Sequence, residues 1–94
     1  MSKEAYQQKA EAKLDEHKAE VDKARAKVKG ATADARLDAE RELKGLEAKL
    51  DEAKQKLAQI KDAGEDAWED LTEGLENAWD DVAGAAKKIM GRFS

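Results

Sequence analysis

The sequence predicts an all-α fold, an antiparallel three-helix coiled-coil-like bundle, and three observations predict it. Strict apolar–polar alternation is absent, so no segment carries the period of a half-buried strand. Apolar residues recur instead at steps of four and three along the first two thirds of the chain. There is no proline, and alanine, lysine, glutamate and leucine dominate, a composition suited to long helices. The 94 residues suffice for one helical domain spanning 1–94.

The first helix is expected over about 3–29. Its apolar rhythm runs Ala10, Leu14, His17, Val21, Ala24 and Val28, and reaches Ala31 and Ala35. Lys27 and Lys29 suit the negative end of the helix dipole, and Gly30 can take the left-handed conformation that closes a helix. Thr32 or Asp34 is then placed to cap the second helix, expected over 33–62. That helix carries Ala39, Leu43, Leu46, Leu50, Ala53, Leu57 and Ile60. Between Ala31 and Leu43 the steps run 4-4-4, a phase slip that marks either a turn or a stutter in a continuous coiled coil. The alternative architecture follows from the stutter: one long helix of about 60 residues, roughly 90 Å, in an oligomer, with the C-terminal helix folded back. Glu40 with Lys44, Glu52 with Lys56, and Glu20 with Lys23 have the spacing of favourable helical charge pairs.

The third helix is expected over 65–92, opened by Asp62 and Glu65 in the spacing of a capping box. Here AWEDLTEGLEN (67–77) is followed at once by AWDDVAGAAKK (78–88), a repeat of eleven residues that brings Trp68 into phase with Trp79. Eleven residues are three turns at about 3.67 residues per turn, so one apolar stripe stays on one side. Trp68, Leu71, Leu75, Trp79, Val82, Ala86, Ile89 and Phe93 mark that stripe. Gly74 and Gly84 lie inside the same helix, and Gly45 inside the second. Each costs about 1 kcal/mol against alanine, so the third helix depends on packing to stay formed.

Composition bounds the function. Half of the nominally hydrophobic residues are alanine, 19 in all, so the core is thin and marginal stability or self-association is expected. The net charge of −4 is uneven: eight acids and no base lie between Glu65 and Asp81, and Lys87, Lys88 and Arg92 follow. Such a face repels nucleic-acid phosphates, and no basic stripe interleaved with aromatics exists elsewhere. Without cysteine there is neither a disulfide framework nor a thiolate nucleophile. No apolar run resembles a leader or a membrane span, and a cytoplasmic location is the expectation.

The chemistry-bearing residues are few. His17 is the only histidine and lies on the apolar rhythm, where a polar layer setting helix register explains it better than a metal or catalytic role. Asp66, Glu69, Asp70 and Glu73 cluster on one face, without a calcium-loop pattern or a Glu-x-x-His pair. Acids towards a helix N-terminus account for them. Serine occurs only at positions 2 and 94, and no nucleophile elbow, phosphate loop or zinc motif is present. The reading is of a protein without catalytic residues, cofactor, metal or small-molecule substrate. Its site is the apolar stripe, serving as core or as an interaction face.

The run KLDEAKQKLAQIKDAGEDAWEDLTEGLENAWDDVAGAAKKIMGRF resembles the C-terminal half of small bacterial stress-associated coiled-coil proteins. Their pattern A-W-E-x-L-x-x-G-x-E-x-A-W is met by Ala67, Trp68, Glu69, Leu71, Gly74, Glu76, Ala78 and Trp79, and Val82 replaces a leucine. The resemblance covers about half the chain and implies a cytoplasmic helical protein linked to stress responses, of unsettled activity. The eleven-residue period is also similar to that of exchangeable apolipoproteins, and the charged alanine-rich helices resemble late-embryogenesis-abundant proteins. Two functional expectations follow. One is self-association or protection of client proteins; the other is attachment to a membrane surface through the C-terminal helix.

Overall fold

A computed structural model describes residues 2–93 and places them in three helices: α1 (Lys3–Lys29), α2 (Ala33–Asp62) and α3 (Trp68–Arg92). The chain turns at Gly30, so the three-helix bundle holds and the single long helix does not. All three helices pack on one another in a rod of 51 × 17 × 16 Å. Salt bridges from Glu11 to Lys61 and from Arg25 to Glu47 set α1 antiparallel to α2. Arg92 with Glu42, and Lys56 beside Gly74, set α2 antiparallel to α3. Helix α3 therefore runs parallel to α1.

The three contributions to the core are unequal. All the buried leucines, isoleucines and tryptophans come from α2 and α3, with Leu46, Ile60, Leu75, Val82 and Ile89 fully enclosed. Helix α1 supplies Ala10, His17, Val21, Ala24 and Val28. Burying a leucine or isoleucine contributes roughly 2 kcal/mol and each methylene-sized group about 0.8 kcal/mol, so α2 and α3 form the stable hairpin and α1 the lightly attached third member. Leu14 is only half-buried, and Ala35 is exposed in the first turn of α2, where the phase slip has carried it off the core side.

The turns differ from the sequence expectation in detail. Gly30 has φ −87° and ψ 1°, not a left-handed conformation; its N–H still donates to the Ala26 carbonyl at 3.2 Å, so α1 ends without reversing its hand. Thr32 occupies the N-cap of α2 in extended conformation, and its hydroxyl makes no capping bond. The Asp62–Glu65 capping box does not form. Asp62 is the last residue of α2, and extended Ala63 (ψ 147°) redirects the chain. The Gly64 carbonyl then accepts from the N–H groups of both Ala67 and Trp68, so α3 starts three residues later than expected, at Trp68. Of the expected charge pairs, Glu52–Lys56 is present at 3.5 Å. Glu40 instead binds Arg36, and Glu20 approaches His17 rather than Lys23.

Candidate functional site

The apolar stripe of α3 points inward. Trp68, Leu75, Trp79, Val82, Ala86 and Ile89 are buried, while Leu71 and Phe93 are half-buried where they pack against the edge of the core. The eleven-residue period explains why both indoles are enclosed: it returns Trp79 to the azimuth of Trp68 three turns later, facing the same neighbour.

That neighbour is α1, and it repeats with the same period. The Tyr6 ring lies 5.6 Å from Trp68, tilted at 43°, and the His17 ring lies 5.0 Å from Trp79, stacked at 21°. Tyr6 and His17 are themselves eleven residues apart, so two parallel helices with one period meet in register at both steps. Sequence reading assigned His17 to a register-setting layer without finding its partner, and it passed over Tyr6. Their spacing, equal to that of the tryptophans, was the available signal.

His17 is an unusual member of this seam. It is 4% exposed, and neither ring nitrogen has a hydrogen-bond partner. The Glu20 carboxylate stands 3.7 Å from Nδ1, beyond hydrogen-bond reach. Beside the stack, α1 and α3 enclose a groove of about 490 Å³ with Tyr6, Ala10 and Trp79 among its walls. Lys9, Lys13 and Glu16 stand on the α1 bank and Glu76 and Asp80 on the α3 bank. Among the described residues no salt bridge spans it, or joins α1 to α3 anywhere. Burial, and then the negative charge of Glu76, push the Tyr6 phenol above its ordinary pKa.

The far end of α3 is fastened differently. Arg92 donates two hydrogen bonds to Glu42, at 2.7 and 2.8 Å, and Lys88 approaches the same carboxylate at 3.7 Å. The Arg92 guanidinium holds the Glu42 carboxyl below the usual carboxylate range. Two of the three bases that close the chain are thus engaged with α2. Glu69 and Asp70 lie in the first turn of α3, where their charge suits the helix dipole, while Asp66 precedes the helix. Among the described residues no group of three or more His, Cys, Asp or Glu side chains is placed to hold a metal ion. Ser2 caps α1, accepting from the Ala5 N–H at 3.1 Å. Among the described residues no helix is long and apolar enough to cross a membrane. No family model, curated protein or solved structure matches the chain.

Proposed function

We propose that this chain is a non-enzymatic helical protein, of the cytoplasmic bacterial stress-response kind it resembles, that acts through the tryptophan face of α3 by self-association or by protecting other proteins. One observation carries the reading: the rings of Trp68 and Trp79 are covered by α1, the helix that contributes no buried leucine, isoleucine or tryptophan to the core. The α1 cover consists of half-buried Tyr6 and Leu14, alanines, two valines and a histidine whose buried nitrogens make no hydrogen bond. Lifting it exposes Trp68 and Trp79 while the α2–α3 hairpin keeps its leucine core.

The non-enzymatic part rests on the scarcity of catalytic groups. The single histidine is enclosed with neither ring nitrogen hydrogen-bonded, there is no cysteine, and Ser2 serves as a helix cap. Attachment to a membrane surface has less support, because the eight acids between Glu65 and Asp81 lie on or next to α3 and are repelled by anionic headgroups. That helix contributes the largest buried residues, and its basic end is bound to Glu42.

Melting followed across a hundredfold range of protein concentration, with light scattering for mass, tests the proposal. A stabilising association gives a melting temperature that rises with concentration. A concentration-independent melt at constant monomer mass, together with failure to slow the aggregation of a heat-unfolded test protein, would overturn it.

A further inference from the structure

We propose that the chain self-associates by exchanging α1 between two copies, the turn at residues 31–32 opening so that α1 and α2 become one continuous helix. This rests on the self-association reading and names its route. The partner is a second copy of this chain, because the surface that α1 vacates is complementary to α1. Every contact that holds α1 in place would be remade by the partner's α1: the Tyr6–Trp68 and His17–Trp79 ring pairs, the Arg25–Glu47 and Glu11–Lys61 bridges, and the Lys3 amino group on the Lys61 and Ala63 carbonyls.

The hinge is built for this change. Helical hydrogen bonding reaches the Gly30 N–H, which donates to Ala26, and resumes where the Arg36 N–H donates to Thr32. Gly30 at φ −87° is already on the right-handed side, and Thr32 departs from helix only in ψ, at 161°. The Thr32 hydroxyl makes no capping bond that straightening would break, and no proline stands in the way. Straightening restores backbone bonds that the turn leaves unmade. The two α1–α2 bridges are both centred on residue 36, so two copies paired through the same bridges cross there about a two-fold axis. The weak hold of α1, with no salt bridge to α3 among the described residues, is what lets it leave.

Two hinge variants move the equilibrium in opposite directions. In Gly30→Ala with Thr32→Ala, the added Gly30 Cβ meets only the Ala26 and Lys27 carbonyls, at 3.7 and 3.9 Å, so the closed bundle accepts it. Its higher helix propensity favours the straight form roughly three- to fivefold per hinge, so on the order of tenfold or more for a dimer with two hinges. Ala33→Pro has the opposite effect. Proline suits the first position of α2 and the extended Thr32 before it, but it cannot sit inside a continuous helix.

The experiment measures mass by sedimentation, and intrachain distance by spin labels at Lys18→Cys and Lys54→Cys in the 94-residue chain diluted with unlabelled protein. No native cysteine interferes. In the closed bundle these exposed positions lie at the same level of antiparallel α1 and α2, as the Glu11–Lys61 and Arg25–Glu47 bridges set the register; along a continuous helix they stand roughly 54 Å apart. The expected result is a dimer whose fraction tracks the 54 Å population, enriched by Gly30→Ala/Thr32→Ala and abolished by Ala33→Pro at unchanged helix content. If Ala33→Pro loses its fold, the Ala variant and the parent chain decide through the same two readouts. A dimer showing only the short distance would overturn the exchange and leave self-association standing. Monomer mass in every variant at millimolar concentration would overturn both.

Discussion

Replacing His17 by leucine should stabilise the bundle. The imidazole is 4% exposed, and both nitrogens are enclosed without a partner. Leaving a polar group in that condition costs about 1–3 kcal/mol. Leucine has a similar volume and no polar atom, so it removes this cost. It also gives up the ring stack on Trp79, a loss of about 0.5–1.5 kcal/mol. The net expectation for His17→Leu is a gain of about 1 kcal/mol, or about 4–8 °C in melting temperature for a domain of this size. Urea and thermal unfolding followed by circular dichroism measure it, with His17→Ala as the control that keeps the polar deletion but leaves a cavity. A loss of about 1 kcal/mol or more in His17→Leu, with helix content intact, would show that the buried imidazole carries no net cost. It would mean that the imidazole contributes a favourable polar interaction at the seam.

Other substitutions test the remaining parts of the structure. Trp79→Ala removes a buried indole and should cost about 3–5 kcal/mol, enough to unfold so thin a domain in an equilibrium denaturation. Gly45→Ala and Gly84→Ala each place a Cβ where nothing lies within 4 Å, and each should raise stability by up to about 1 kcal/mol in the same assay. Glu42→Gln should lower the melting temperature near neutral pH by weakening the hold of Arg92 and Lys88. The Glu42 carboxyl titrates lower in the folded chain than in the unfolded one. Its stabilisation is therefore present above the ordinary carboxylate range and lost as pH falls through the folded value, so the gap between variant and parent should close in acid.

The helices and the core stripe were legible because they depend on local patterns. The 4-3 rhythm of Leu43, Leu46, Leu50, Leu57 and Ile60 is a property of one helix, and burial followed it. Gly30 located the first turn, although the conformation it adopts there is one that alanine also accepts. The start of α3 was misplaced because Asp62 and Glu65 have capping spacing, yet the end of α2 is governed by a residue far away in sequence. Lys3 donates to the Lys61 and Ala63 carbonyls at 2.8 and 2.6 Å, satisfying acceptors where α2 ends, and Asp62 stays within that helix. The pairing of His17 with Trp79 was hidden for a similar reason: it depends on α1 and α3 running parallel, and only the packed bundle establishes that. The equal spacing of Tyr6 with His17 and of Trp68 with Trp79 was visible and unused.

The tryptophan face of α3 is closed in the free protein, and tryptophan emission with and without liposomes measures that closure. With Trp68 and Trp79 each 5% exposed, emission should be blue-shifted, poorly quenched by acrylamide, and unchanged by neutral or anionic vesicles. Anionic headgroups would repel the eight acids of residues 65–81, so any binding that did occur should favour neutral bilayers. Red-shifted, readily quenched emission that moves to the blue on adding vesicles at micromolar protein would contradict the account and make α3 a lipid-surface helix.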